Sequence, residues 1–485
     1  MAPERSALKK KAASGVVLLS AKRVVLQVIF TTSNIFLARL LFPADFGTFA
    51  IVGSIGLFFN VFADLGLVPS LIQKKGAVKV TEMQTAFTLQ AFLGLMIVGA
   101  IFLTAELLSG FFGLEERGVI LLKLYSLKFL IDPFRQVPLA ILERGLQYKK
   151  IVMLDILVTL VGSGSTVFLA FSGLGVYSFA YGLVISHITS ALLLRLILRW
   201  PIGIAFSRQV FLNLTKFGLP FQLHVILGLF YGPLILLYLG KAVGQTNLGL
   251  YQFAASLSVF PIAFAEILNR VIFPLGARTQ ADRAFLKQAI ERSLVLVSMT
   301  TMPAIFFIGA TAGQIIHYVY TDRWLAALPA LYFGLAQMGI IAYTGVFGQF
   351  LLARGQAGIM RNIGLVWAAL TWILAPILIA KFNFVGMNMT GLLVSASGIW
   401  LFFRLKREAR FNFGENFITY GLLAALSSLV IIVFVNLLPQ SFSSLVFALV
   451  SGAIVYFVLL VVFAQKTLRE NLELVISMFF KQKSG

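Results

Sequence analysis

Cysteine is absent from the 485 residues, histidine occurs three times, and charged residues make up only 12%. Without a thiol there is no thiol nucleophile, no thiolate metal site and no disulfide switch. The three histidines supply neither an H-E-x-x-H helix nor a cluster for a metal ion. No G-x-x-x-x-G-K-S/T segment occurs, which excludes ATP hydrolysis through a P-loop. Gly162-Ser-Gly-Ser-Thr166 is small-residue packing inside an apolar run and not a phosphate cradle. Acidic residues are also scarce, 18 against 39 Lys+Arg, for a net charge of +21.

What remains is apolar. Hydrophobic residues reach 59%, and the mean hydropathy is +0.95. Soluble domains carry roughly 45–50% apolar and about 25% charged residues. A chain this poor in polar side chains cannot cover itself in water, so its solvent is lipid. A helix needs about 20 mainly apolar residues to cross a bilayer. That ruler predicts an all-α integral membrane protein with fourteen spans, at 14–41, 46–72, 83–108, 119–142, 150–172, 175–198, 217–240, 248–275, 290–318, 325–353, 362–380, 384–403, 417–438 and 442–465.

Lysine and arginine orient these spans. With the N-terminus inside, inner segments and adjoining helix ends hold 28 of the 39 cations, outer segments four, and the spans seven. Both termini are therefore expected in the cytoplasm, and the basic excess needs no nucleic acid. The first apolar run contains Lys22 and Arg23 and lacks a cleavage site, so it reads as a span and not a signal peptide. Within Thr467–Phe480, Leu468, Leu472, Val475, Ile476 and Phe479 share a face, the pattern of an interfacial helix. No connection is long enough for an extramembrane domain, which argues against a membrane glycan polymerase or ligase.

An internal repeat organises the chain. Phe46–Val68 and Leu248–Arg270 align at a constant offset of 202 residues, matching Gly47/Gly249, Ser54/Ser256, Phe58/Phe260, Phe62/Phe264 and Ala63/Ala265, with Asp64 opposite Glu266. Six spans separate the copies, so both have the same orientation. This predicts two parallel six-helix bundles, at 1–198 and 217–404, joined by a cytoplasmic linker at 199–216. Residues 405–485 add two further helices and the amphipathic tail. Parallel bundles suit alternating access about a central site.

A charge costs about 2.5–3.5 kcal/mol at a helix centre, so intramembrane charges normally face a cavity or a partner. Eleven lie within the predicted spans: Lys22, Arg23, Arg39, Asp64, Lys123, Lys128, Asp132, Arg135, Asp155, Glu266 and Arg270. Arg39 and Lys123 sit near outer ends, where they snorkel. The rest form a layer in the cytoplasmic half, since Lys22, Asp64 and Asp132 lie about 10–15 Å from inner helix ends at 1.5 Å per residue. Lys128, Asp132 and Arg135 follow i, i+4, i+7 spacing on one face, in a segment bent by Pro133 and Pro138. Lys22, Arg23, Lys128, Arg135 and Arg270 outnumber the four carboxylates, giving a slightly cationic layer suited to a pyrophosphate. Asp64, Asp132, Asp155 and Glu266 are the candidates for coupling to H⁺ or Na⁺. The competing reading makes these groups structural interhelical pairs; Glu266 and Arg270, four apart, can neutralise each other. His187 and His224 read as packed, hydrogen-bonded side chains rather than a proton relay.

Ala38-Arg-Leu-Leu-Phe-Pro-Ala-Asp-Phe-Gly47, Phe62-Ala-Asp-Leu-Gly66, Leu71-Ile-Gln-Lys-Lys75 and Leu142-Glu-Arg-Gly145 resemble the Wzx-type polysaccharide-unit flippases, close to the colanic acid exporter branch. These belong to the multidrug/oligosaccharidyl-lipid/polysaccharide (MOP) exporter superfamily, with the MATE antiporters and the lipid II flippases. The resemblance implies a MATE- and lipid II flippase-like fold that flips undecaprenyl-pyrophosphate-linked oligosaccharide to the outer leaflet of a bacterial inner membrane. It implies no enzyme activity and no cofactor or metal, with lipid-linked oligosaccharide, membrane lipids and polysaccharide polymerase machinery as partners. Cavity cations of the first and eighth helices in related flippases correspond to Lys22, Arg23 and, by helix position only, Arg270. Residues 417–465 correspond to an extra helix pair that forms a lipid-tail groove in lipid II flippases. A MATE-like drug antiporter is the alternative, and it would carry a carboxylate-dominated site.

Overall fold

The computed structural model describes residues 2–74, 76–262 and 283–465. Lys75, Glu266, Arg270 and the expected interfacial helix at Thr467–Phe480 lie outside the described residues. Within them the chain is helical, with no strand. Lipid dictates this, because backbone N–H and C=O groups in hydrocarbon must be paired within their own segment.

The chain divides into two compact units, Met1–Gly249 and Leu250–Gly485. The first contains α1 (Ala2–Leu40), α2 (Pro43–Asp64), α3 (Leu67–Gln73), α4 (Val80–Phe112), α5 (Glu115–Ser126), α6 (Lys128–Arg144), α7 (Tyr148–Leu169), α8 (Tyr177–Ile197) and α9 (Arg208–Tyr231). A further helix, α10 (Pro233–Ser258), is interrupted at Gly244, whose φ of +79° belongs to the left-handed region. The second unit contains α11 (Arg283–Gln314), α12 (Leu328–Ala353), α13 (Ala357–Phe382), α14 (Val385–Ser397), α15 (Ile399–Ala409), α16 (Gly414–Leu437) and α17 (Phe442–Phe463).

Local chemistry sets the ends. Pro43 opens α2, and the Asp45 carboxylate accepts the Phe42 N–H at 2.9 Å. Glu82 does the same for Lys79 N at 2.9 Å at the start of α4, and Ser441 Oγ accepts from Ser444 N at 3.1 Å at the start of α17. Gly113, at φ +64°, closes α4.

Among the described residues, eleven helices are long and apolar enough to cross a membrane. Three of the fourteen expected spans fall outside that set for separate reasons. The fourth is divided between α5 and α6, the latter carrying Lys128, Asp132 and Arg135. The seventh straddles the break at Gly232 between α9 and α10. The eighth runs past Ile262, the last residue described there.

In the first unit, residues at the end of the expected linker and beyond it pack back onto earlier helices. Ser70 Oγ donates to Leu214 O at 2.7 Å, and Gln222 Nε2 donates to Val61 O. Gly66 and Gly218 bring α9 against the α2–α3 turn; a Cβ on Gly66 would stand 2.3 Å from Gly218 O. These contacts group residues 217–249 with the first unit, whereas the repeat places its boundary at 199–216. The crossing of α2 and α10 is tighter still. A Cβ on Gly47 would lie 1.8 Å from Gln245 O, and one on Gly249 would lie 1.8 Å from Pro43 O. Residues 43 and 245 share the 202-residue offset of 47 and 249, so the contact is reciprocal between repeat-equivalent positions. In the second unit α16 packs along α11, and Tyr456 on α17 donates to Met299 O at 3.0 Å. Phe350, Leu351, Leu401, Leu405 and Phe411 are fully buried there.

Arg144 fastens the end of α3 to α6. Its guanidinium donates to Leu71 O at 3.1 Å, Ile72 O at 3.3 Å and Lys74 O at 2.6 Å, and also to Gly76 O. Leu71 O and Ile72 O are among the carbonyls that the C-terminus of α3 leaves without an intrahelical partner, and Lys74 O and Gly76 O follow it. Arg144→Met is expected to destabilise the protein by about 2 kcal/mol, the worth of charge-assisted bonds to backbone. A fall in unfolding temperature, followed by size-exclusion in detergent after heating, checks this.

Candidate functional site

Three groups of the first unit hold the described carboxylates and cations of the expected inner layer. The principal one is built on α6. Pro133 lacks an N–H, which leaves the Phe129 carbonyl without its helical donor. Gly94 of α4 stands against that carbonyl, where a Cβ would approach to 2.3 Å. This lets α4 pack closely on α6 and buries the row that follows. Lys128 and Asp132 are buried, and Arg135 reaches the edge of the group with 30% of its side chain exposed.

Asp132 is the centre. Its Oδ1 accepts from Arg135 Nε at 3.2 Å and Nη2 at 3.1 Å, and lies 3.5 Å from His187 Nε2 on α8. Its Oδ2 lies 3.9 Å from Lys128 Nζ and has no hydrogen-bond partner among the described residues. Lys128 Nζ donates instead to Asn60 Oδ1 on α2 at 3.3 Å, and sits 4.6 Å from the Phe129 ring centre and 5.4 Å from that of Tyr125. One carboxylate thus faces a lysine, an arginine and a histidine. With the imidazole neutral, the group carries one excess positive charge. Arg135 Nη1 is uncommitted among the described residues, leaving planar donors for an anion.

The second group joins α1 to α7. Lys22 Nζ lies 2.8 Å from Asp155 Oδ2, with the two side chains 20% and 35% exposed. Glu143, at the end of α6, lies within electrostatic reach of both. Arg23 adjoins the pair in sequence and makes interactions of its own.

The third is largely architectural. Asp64 ends α2, and its Oδ1 accepts the Val68 N–H at 3.1 Å in the first turn of α3. The same oxygen accepts from Gln90 Nε2 at 2.8 Å, and Gln90 Nε2 lies 3.4 Å from Gln136 Oε1.

Sequence spacing therefore locates the Lys128, Asp132 and Arg135 row, which α6 brings together. His187 and Glu143 were not among the site residues expected from sequence. His187 is hydrogen-bonded as expected of a packed histidine, Nδ1 to Leu183 O at 2.9 Å, yet its other nitrogen faces Asp132. No group of three or more metal-ligating side chains occurs among the described residues.

Residues 36–329 match the family described as "Polysaccharide biosynthesis protein". The chain belongs to that family. It is 23% identical over 306 residues to the teichuronic acid biosynthesis protein TuaB of Bacillus subtilis (strain 168), covering 62% of each chain. It therefore spans under two thirds of that relative's length. It is 24% identical over 356 residues to the lipopolysaccharide biosynthesis protein WzxC of Escherichia coli (strain K12), covering 73% of this chain and 72% of that one. In fold it is similar to the lipid II flippase MurJ in an inward closed conformation, with a TM-score of 0.74 at 14% identity, covering 94% of this chain and 99% of that one. The expected helical, lipid II flippase-like fold is thereby shown.

Proposed function

We propose that this protein flips undecaprenyl-pyrophosphate-linked oligosaccharide from the cytoplasmic to the outer leaflet of a bacterial inner membrane, by alternating access. The observation that carries the reading is the Lys128–Asp132–Arg135–His187 group. It is a charged cluster with a cationic excess, held within apolar helices of a chain from a polysaccharide-biosynthesis family. A drug antiporter for cations calls for the opposite sign.

In this mechanism Arg135 and Lys128 attract the pyrophosphate, with Lys22, Arg23 and Arg270 as further cations of the inner layer. Asp132 serves them by holding both side chains in place while the substrate is absent. A phosphate oxygen competes with Asp132 for the arginine fork, and binding redistributes donors without exposing a bare charge to lipid. The polyprenyl tail stays in the bilayer while the glycan passes between helices. Among Asp64, Asp132, Asp155 and Glu266, the first two are held by α3, Gln90 and Arg135, whereas Asp155 is the more open and is the favoured coupling carboxylate for H⁺ or Na⁺. Polysaccharide polymerase machinery takes the product at the outer leaflet, and both chain ends face the cytoplasm.

The test is deletion of the gene. Surface polysaccharide is expected to fall at least tenfold, with lipid-linked oligosaccharide accumulating where only a cytoplasmic-side glycosidase reaches it. Unchanged surface polysaccharide and an unchanged lipid-linked pool refute the proposal.

A further inference from the structure

A cavity of about 340 Å³ lies between α1, α2, α7 and α8, wholly within the first unit. We propose that it is a glycan subsite, which holds a neutral sugar residue of the transported molecule; this rests on the flippase reading above.

Its polar lining is unusual for a membrane helix bundle. Serine and threonine in apolar helices commonly turn their hydroxyls back onto the carbonyl four residues earlier. This chain does so at Thr85 (to Thr81 O, 2.6 Å), Thr215 (to Phe211 O, 2.8 Å) and Ser427 (to Leu423 O, 2.7 Å). In the cavity Thr166 follows the habit, bonding Gly162 O at 2.9 Å. Ser33 and Asn34 of α1, Thr159 and Ser163 of α7 and Ser186 of α8 also line it, and none of these five side chains has a hydrogen-bond partner among the described residues. Five uncommitted polar groups converge on one space. In hydrocarbon each leaves hydrogen-bonding capacity for an occupant.

Part of the lining is aromatic. Phe49 and Phe179 stack with ring centres 4.7 Å apart, and Phe30 completes the lining. A pyranose ring has the matching character, with C–H groups on a face for the aromatic wall and hydroxyls at its edge for donors and acceptors. Among the described residues no Asp, Glu, Lys or Arg lines the cavity, so its chemistry suits neither a phosphate nor a cation. The volume lies near the lower end of small-ligand pockets, about 300–1,000 Å³, which suits one or two sugar rings and not a whole oligosaccharide.

The floor depends on close helix packing. A Cβ on Gly162 would come within 2.8 Å of Ser186 Cβ, and one on Gly182 within 1.9 Å of Thr166 Oγ1. The two glycines draw α7 and α8 together, while the uncommitted hydroxyls line the space beside the crossing.

Position links the cavity to the charges. Phe30 to Asn34 follow Lys22 on α1 by about 12–18 Å, and Thr159 to Ser163 follow Asp155 on α7 by about 6–12 Å, at 1.5 Å per residue. A sugar chain whose pyrophosphate is held at the charged layer reaches the cavity along these helices.

Two measurements on the purified full-length protein in lipid nanodiscs test this. The probes are bare polyprenyl diphosphate and the lipid-linked oligosaccharide extracted from cells lacking the gene. The native protein is expected to bind the glycosylated lipid about tenfold more tightly, equivalent to about 1.4 kcal/mol. The variant Asn34→Leu/Ser163→Ala/Ser186→Ala is expected to bind both lipids alike, at the affinity of the bare one. A variant that keeps the preference overturns the subsite and leaves the flippase reading intact, as does a native protein with no preference. A native protein that binds neither lipid overturns both. The second measurement exploits the absence of cysteine, since Ser163→Cys introduces a single thiol. Maleimide labelling of that thiol is expected to slow about tenfold with the glycosylated lipid and to be unaffected by bare polyprenyl diphosphate or by free sugar at equal concentration. Equal labelling rates with both lipids overturn the proposal, and slowing by free sugar alone assigns the cavity to a soluble ligand and overturns it too.

Discussion

Asp132→Ala is expected to abolish export and to lower the unfolding temperature sharply. The carboxylate is buried between Lys128, Arg135 and His187. Removing it leaves the Lys128 ammonium buried against two aromatic rings, still bonded to Asn60 but without a facing negative charge. Breaking a buried ion pair from one side costs about 3–5 kcal/mol, because the surviving charge has lost its compensation. Lost export in this variant alone would therefore report on folding as much as on transport. The triple variant Lys128→Met/Asp132→Asn/Arg135→Gln separates the two. It removes every formal charge from the row on α6 while approximately keeping side-chain volume. Its unfolding temperature is expected to return to within a few degrees of the native value. Its export is expected to be lower by at least about a hundredfold, since two charge-assisted contacts to a pyrophosphate at about 1.5–3 kcal/mol each are gone. Surface polysaccharide at the native level in the triple variant would remove the pyrophosphate role from this row.

Gly47→Ala and Gly249→Ala are expected to cost about 3 kcal/mol each, the upper part of the range for forcing extra atoms into a close-packed contact. The added Cβ would lie 1.8 Å from a backbone carbonyl oxygen in both cases, Gln245 O for one and Pro43 O for the other. A flexible side chain could swing away, whereas a carbonyl moves only with its helix. Small residues at helix crossings let backbones approach closely in membranes, where packing replaces the hydrophobic effect as the source of association. Gly53 lies on the same helix, α2, and a Cβ added there would meet nothing within 4 Å. Gly53→Ala is therefore expected to leave stability unchanged or to raise it slightly, by the usual gain of about 0.5–1 kcal/mol for alanine over glycine in a helix. Heating in detergent followed by size-exclusion compares the three. Equal behaviour of Gly47→Ala and Gly53→Ala would show that the crossing is loose in the folded protein.

The site was legible only where its logic is local. Lys128, Asp132 and Arg135 stand on one helix, so their spacing brings them onto one face, and the cost of burying charge in lipid marks them as partners. Lys22 and Asp155 are each visible as a costly charge, yet a sequence separation of 133 hides the 2.8 Å pair. His187 reads as an ordinary packed histidine, because nothing near it in sequence announces Asp132. Asp64 stands out for the same reason as Asp132, but its bonds to Val68 N and Gln90 make it a helix cap and a packing group.

Composition and cation placement determined that the chain is a helical membrane protein, because lipid leaves the backbone no other way to pair its polar groups. The 202-residue offset was likewise written in the chain, down to the two glycines that meet Gln245 and Pro43. Tertiary structure alone decided which charges neutralise one another and which hydroxyls are left without partners. Those outcomes depend on how α1, α2, α4, α6, α7 and α8 approach within the first unit. Helix periodicity specifies a face, while the identity of the neighbour on that face comes from packing between segments far apart in the chain.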